Sequence, residues 1–189
     1  MASQVSIINA ALFHLGGDRI SAPTDKAEGA RVMTDRWDLA RDATLRAHPW
    51  NFAMRRALVA AEATTPAFGF AYQYKLPTDP YCLRALMINE DPREKFMVEG
   101  RRLLCDLGGP LKLRFISRVT LPDEFDPIFA EALALRLAAA TAYKLTGSKG
   151  LGPKLLEAFG LFIREARSVD GQEGADKPQF SDEFLGARR

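Results

Sequence analysis

The side chains best suited to chemistry are few: two histidines, His14 and His48, and two cysteines, Cys82 and Cys105. Histidine can serve as a general base or a metal ligand, and closely paired cysteines bind zinc or exchange electrons. Neither pattern is present. The cysteines stand far apart in unlike contexts and read as reduced, structural thiols. His14 falls inside one helical pattern and His48 at the end of another, so spacing assembles no metal cluster and no triad. Interaction with the last carbonyls of its own helix accounts for His48. Carboxylates are numerous, but abundance marks no acid–base pair. The stretch TGSKGLG at 146–152 holds glycines and a lysine, yet it follows a helix and lacks the interval that a phosphate loop places before Gly-Lys-Ser. It reads as an inter-helix turn. The sequence therefore assigns no catalytic residue, cofactor or metal.

Basic residues gather locally although the chain as a whole is nearly neutral, at +2. Arg41, Arg46, Arg55 and Arg56 form one group, Arg101 and Arg102 sit at a hairpin, and Lys112, Arg114 and Arg118 follow. A solvated face is one reading. The other is contact with passing DNA backbone, which would be weak and sequence-blind because phosphates carry no base information. So modest a net charge excludes a protein that coats nucleic acid indiscriminately.

The elements that must position these residues are legible from periodicity. Val5, Ile8, Leu12 and Leu15 predict a short amphipathic helix stopped by Gly16-Gly17. A second helix is predicted from Thr24 or Asp25, with Asp25 and Glu28 as a capping pair, through Trp37 towards Ala47, where Pro49 ends it. The middle of the chain alternates instead. Strands are predicted over 70–76, 83–88, 96–98, 103–105 and 111–116, forming one small antiparallel sheet. Asp126 before Pro127 starts a third helix that runs to about Leu145 and closes at Gly147. A fourth spans about Pro153 to Val169. The fold class is thus mainly α with a β insertion (α+β): a bundle of about four helices with a sheet inserted between the second and third.

Three features stand out on this frame. Pro49, Trp50 and Phe52 form a corner whose rings bury where the bundle meets the sheet, and Arg55 and Arg56 after them break the alternation as a bulge or strand exit would. The third helix, with Phe129, Leu133 and Leu137 among its apolar residues, has almost no polar face. It is either the central helix of the bundle or partly covered by another subunit. From Gly171 the composition turns polar, with Phe180 and Phe184 isolated in an arm over 171–189. One domain over 1–170 is expected, with a helical body over 1–48 and 122–170 and the β-rich insertion at about 50–120. With no basic segment before the N-terminal apolar stretch and no long apolar run, a cytosolic, soluble product without signal peptide or membrane span is expected.

In order, IINAALFHLGGDRIS, RDATLRAHPWNFAMRRALVA, FAYQYKLPTD, FMVEGRRLLCD, LKLRFISRVT and FDPIFAEALALRLAAATAYKLTGS resemble the tail tubular protein A family of tailed bacteriophages. These are head-to-tail adaptors, also called gatekeeper or connector proteins. The resemblance runs from about Ser3 to Asp170, and its most specific parts are the Pro-Trp-Asn-Phe-Ala corner, the Leu-Pro-x-Asp turn and the Phe-Asp-Pro helix start. It implies a helical bundle with a β insertion, built into a ring of twelve beneath the portal protein. The ring would extend the DNA channel, touch genomic DNA only transiently, and receive the tail nozzle or tail tube. The place implied is the head–tail junction of the virion, after synthesis in the host bacterial cytoplasm. The C-terminal arm, with Phe180 and Phe184 as anchors, would grip the portal, and Arg55, Arg56, Arg101, Arg102, Lys112 and Arg114 are candidates for the channel or a surface. The rival readings are a helical DNA-binding packaging or regulatory factor and, more remotely, a virion-associated glycan hydrolase.

Overall fold

The computed structural model describes residues 2–173, with side chains through 167. The chain is α+β: helices α1 (Gln4–Leu15) and α2 (Glu28–Ala47), strands β1 (Met54–Val59), β2 (Tyr72–Lys75), β3 (Cys82–Ile88), β4 (Met97–Glu99), β5 (Arg102–Cys105) and β6 (Leu111–Ser117), then helices α3 (Pro127–Thr146) and α4 (Leu151–Glu173).

Local chemistry sets the helix ends. Ser3 and Ser6 form a reciprocal capping box on α1, and Gly16 closes it in the left-handed region at φ 70°. Asn9 then exchanges two hydrogen bonds with the backbone of Ile20, at 3.0 and 2.8 Å, and so clamps the following loop to α1. Asp126 accepts the Ile128 amide at 2.7 Å with Pro127 at the first helical position, and Gly147 ends α3 at φ 68°. The expected cap on α2 is corrected. Asp25 accepts from the backwards-lying Ser21 and Ala22 amides, at 2.7 and 3.0 Å, so its carboxylate is occupied in the loop and the helix starts later, at Glu28. The amide of Ala22, followed by that of Ser21, holds its carboxyl below the usual 3.8. Helix α4 runs past Val169 to Glu173, so the predicted arm boundary at Gly171 moves outward.

Helix α3 is the axis of the body and packs against α1, α2 and α4. Phe129, Leu133 and Leu137 are fully buried within the chain, together with Ile8 and Leu12 of α1 and Met33 and Leu45 of α2. The central-helix alternative is therefore the one observed. Cover from another subunit is not what hides these three residues. Where α4 crosses α3, Gly152 makes the approach possible: a Cβ there would stand 3.1 Å from the Ala139 carbonyl oxygen.

The β insertion is two antiparallel three-stranded sheets where one was expected, in the orders β1-β6-β3 and β2-β5-β4. Strand β1 was not predicted, because Arg55 and Arg56 interrupt the alternation within it. The two arginines lie at a strand start, not an exit. Arg55 pairs in register with the buried Phe115, yet escapes burial because its guanidinium curls back to the Phe52 and Met54 carbonyls, at 2.8 and 3.0 Å. Between the sheets Tyr74, Leu76, Cys82, Ile88, Leu103, Cys105, Leu111, Leu113 and Phe115 form a second core, separate from that of the helices. Ile116, next in β6, points the other way and belongs to the helical core.

Leu133→Ala is expected to cost about 2–5 kcal/mol of stability by cavity formation, measured as a shift of the urea midpoint that is the same at low and high protein concentration. A second expectation concerns pH. Burial pushes the Cys82 and Cys105 thiols up from their ordinary 9.0, and the Tyr74 phenol up from 10.0. The unfolded chain therefore loses these protons first as pH rises, so the stability they confer is full below pH 9.0 and declines above it. Thermal unfolding monitored through alkaline pH should show the decline, and Cys82→Ala with Cys105→Ala should flatten part of it.

Candidate functional site

With no catalytic grouping to build from, the site is sought in the joint between body and insertion and in the surfaces it presents. Pro49 ends α2 and turns the chain, and Asn51–Ala53 forms a single 3-10 turn before β1. Trp50 is 2% exposed. Its indole Nε1 donates to the Thr44 carbonyl at 3.0 Å, and its ring meets His48 edge-on at 4.8 Å and Phe129 at 5.2 Å. Phe52 packs on Phe129 at 5.1 Å and on Phe125 at 6.0 Å, and these two touch at 4.8 Å. Edge-to-face aromatic pairs of this kind add about 0.5–1.5 kcal/mol each beyond the area they bury. On the strand side the buried Ser117 hydroxyl donates to the Ala53 carbonyl at 2.9 Å. Pro49, Trp50 and Phe52 thus form the structural corner expected of them.

The arginines expected to act together are divided. Arg101 is corrected from a surface or channel role to a structural one. Its guanidinium donates to the Cys82 and Pro77 carbonyls, both at 2.6 Å, and stacks over Tyr81 at 4.1 Å. Arg118 covers the same ring at 4.2 Å and pairs with Asp42 at 2.7 Å, and Asp42 also takes Arg41 at 2.9 Å. Arg46 donates to the Leu83 carbonyl. Arg46, Arg101 and Arg118 each tie one element to another, whereas Arg41 is held within α2. Arg102 is partly neutralised by Glu62 at 2.7 Å, and Arg55 is turned onto its own backbone.

Arg56, Lys112 and Arg114 are brought together. In the β1–β6 register Arg56 faces Arg114 and Leu58 faces Lys112, while β3 sets Met87 beside Arg114. All lie on the outer face of the first sheet, where they line an open groove of about 580 Å³ with Glu90 at its rim. Leu58 is 71% exposed there. Lys112 lies 3.6 Å from Glu90, and an Arg114 nitrogen stands 3.1 Å from the Met54 sulfur. The groove joins three cations to an apolar floor, an arrangement suited to an anionic partner with apolar groups, or to a phosphate backbone. Sequence reasoning missed Leu58 because β1 was missed, although Met54, Arg56 and Leu58 alternate; Met87 and Glu90 follow from the pairing of β3 with β6, which periodicity does not carry.

Other large apolar side chains stand in solvent: Phe13 on α1 is 82% exposed and Phe68, in the β1–β2 loop, 89%. Leu39, Leu121, Leu156 and Leu161 are also exposed. Shallow grooves of about 450 and 290 Å³ run along α1, sharing Ser6 and Ala10. Phe180 and Phe184, the expected portal anchors, lie outside the described residues. Among the described residues no cluster of His, Cys, Asp or Glu is placed to hold a metal, and no helix is long and apolar enough to cross a membrane.

Charge removal should separate the two arginine classes. Arg101→Ala is expected to destabilise the chain by about 1–3 kcal/mol, as loss of charge-assisted hydrogen bonds to buried carbonyls does, with little effect on anion binding. Arg56→Glu with Arg114→Glu should leave the unfolding midpoint nearly unchanged and abolish any low-salt gel shift with short duplex DNA.

No family model and no curated protein matches the chain.

Proposed function

We propose that the chain is a head-to-tail connector subunit of a tailed bacteriophage or prophage-derived particle, a structural part and not an enzyme. In this reading its copies stand in a ring, dodecameric as the resemblance implies, beneath the portal protein. The ring continues the DNA channel, and the tail nozzle or tail tube docks against it. The observation that carries the proposal is a correspondence between the landmarks of the resemblance and the joints of the molecule. Pro-Trp-Asn-Phe-Ala forms the corner between body and insertion, Leu-Pro-x-Asp follows β2, and Phe-Asp-Pro starts the central helix. Substitution at these places disturbs how the modules are held, which is what a load-transmitting part must fix.

Phe129, Leu133 and Leu137 of the central helix, buried within their own chain, give the ring no support. Support comes instead from large apolar side chains left in solvent, notably Phe13, Leu39, Leu121 and Leu161, which neighbouring copies or tail proteins would cover. A second reading, a helical DNA-binding packaging or regulatory factor, is favoured by the grouping of Arg56, Lys112 and Arg114. Against it stand Glu90 beside Lys112 and a net charge of only +2.

Sedimentation velocity and negative-stain images of the chain, alone and mixed with the portal protein of the same particle, test the connector reading. Rings are expected in one or both samples. A chain that stays monomeric and ignores the portal at high concentration overturns it.

A further inference from the structure

The groove on the outer face of the first sheet and the residues that follow α4 have complementary chemistry. Between Pro178 and Ala187 the charged residues are Asp182 and Glu183, set among Phe180, Phe184 and Leu185. The groove offers the converse: Arg56, Lys112 and Arg114 around exposed Leu58 and half-buried Met87. One acid at the rim, Glu90, engages one of the three cations and leaves Arg56 and Arg114 to face a ligand. A short segment carrying two carboxylates between aromatic rings fits a basic rim over an apolar floor on both counts.

Arg167 of α4 donates to the Ala47 carbonyl at 3.3 Å, so the helix passes the C-terminal end of α2. That same end is bonded to β3, an edge strand of the grooved sheet, by Arg46 to the Leu83 carbonyl and by Arg84 to the Arg46 carbonyl. From Glu173 the chain to Phe180 can cover up to roughly 23 Å when extended. The groove begins only a few residues along β1 from the corner, roughly 10–13 Å at strand rise. Reach is ample.

We propose that the groove is the docking site of the chain's own segment Phe180–Leu185, which in the free subunit folds back with its two acids towards Arg56 and Arg114 and a phenylalanine ring over Leu58 and Met87. The contact masks an apolar acidic segment and a basic surface with one another. Because the docked segment is tethered, effective concentration replaces high intrinsic affinity, and a competing partner for either side can release both. The inference does not rest on the connector reading: ring formation with portal can fail while this contact stands.

The test uses the full-length chain with isotope-labelled methionine methyl groups, at a dilution where it is monomeric. Nuclear Overhauser contacts are expected between phenylalanine ring protons and the Met87 methyl. These ring–methyl contacts should be lost in Asp182→Lys with Glu183→Lys and in Arg56→Glu with Arg114→Glu, and reappear when all four changes are combined. Met33, fully buried in the helical body, is the reference that should stay in place and that reports folding of each variant. Ring–methyl contacts indifferent to the tail substitutions overturn the proposal, as does a combined variant in which they stay lost. A contact that appears only as concentration rises assigns the groove to a second copy's segment and overturns the intramolecular assignment. If the groove variant does not fold, the tail variant decides alone.

Discussion

The molecule depends on the way one chain passes from helix to strand without leaving a seam. At the corner, Trp50 must bury a large ring and an N–H donor together, and it does so because the Thr44 carbonyl in the last turn of α2 is there to accept. Helix ends leave their final carbonyls without intrahelical partners, so the indole satisfies a group that burial would otherwise penalise. Phe52 and Phe129 then meet the ring, and Phe125 packs on both of them. Phe129 belongs to α3, so the joint between body and insertion is also the joint between the outer helices and the axis.

From that weld follows the division of labour among the cations. Arginines close to the joint are consumed by it: Arg46, Arg101 and Arg118 bridge α2, β3 and the strand exits, where a guanidinium can meet several carbonyl or carboxylate oxygens together. Those farther along the sheet are held less: Lys112 meets one carboxylate, that of Glu90, and Arg114 the Met54 sulfur. Arg56, Lys112 and Arg114 remain on the open face. Clustering in sequence therefore says little about clustering in function, because the register of β1 on β6 pairs residues nearly sixty positions apart and parts those next to each other.

Much of this was legible in the sequence for reasons that are local. Asp126-Pro127, Gly147 and the Gly16-Gly17 stop mark ends that depend on nearest neighbours, and the alternation of Tyr72 and Tyr74 marks a strand by itself. What was not legible depended on distant partners. Strand β1 hides behind two successive arginines whose exposure is made possible by an edge position, and Asp25 could cap a helix or a loop until Ser21 and Ala22 claimed it. The separation of the strands into two sheets is a matter of pairing, which periodicity does not carry. The apolar excess of α3 was visible, but composition cannot distinguish cover by three neighbouring helices from cover by another molecule.

The insertion leaves the body and returns to it at a single point. Met54 at the start of β1 is paired with Ile116 near the end of β6, and the next residue, Ser117, holds the Ala53 carbonyl. A cassette closed at its own neck imposes no span on the scaffold that carries it. Its distal loops can lengthen while Leu83 and Ile116 keep the first sheet in the helical core; divergence of interaction surfaces in such a chain is expected to concentrate beyond that neck.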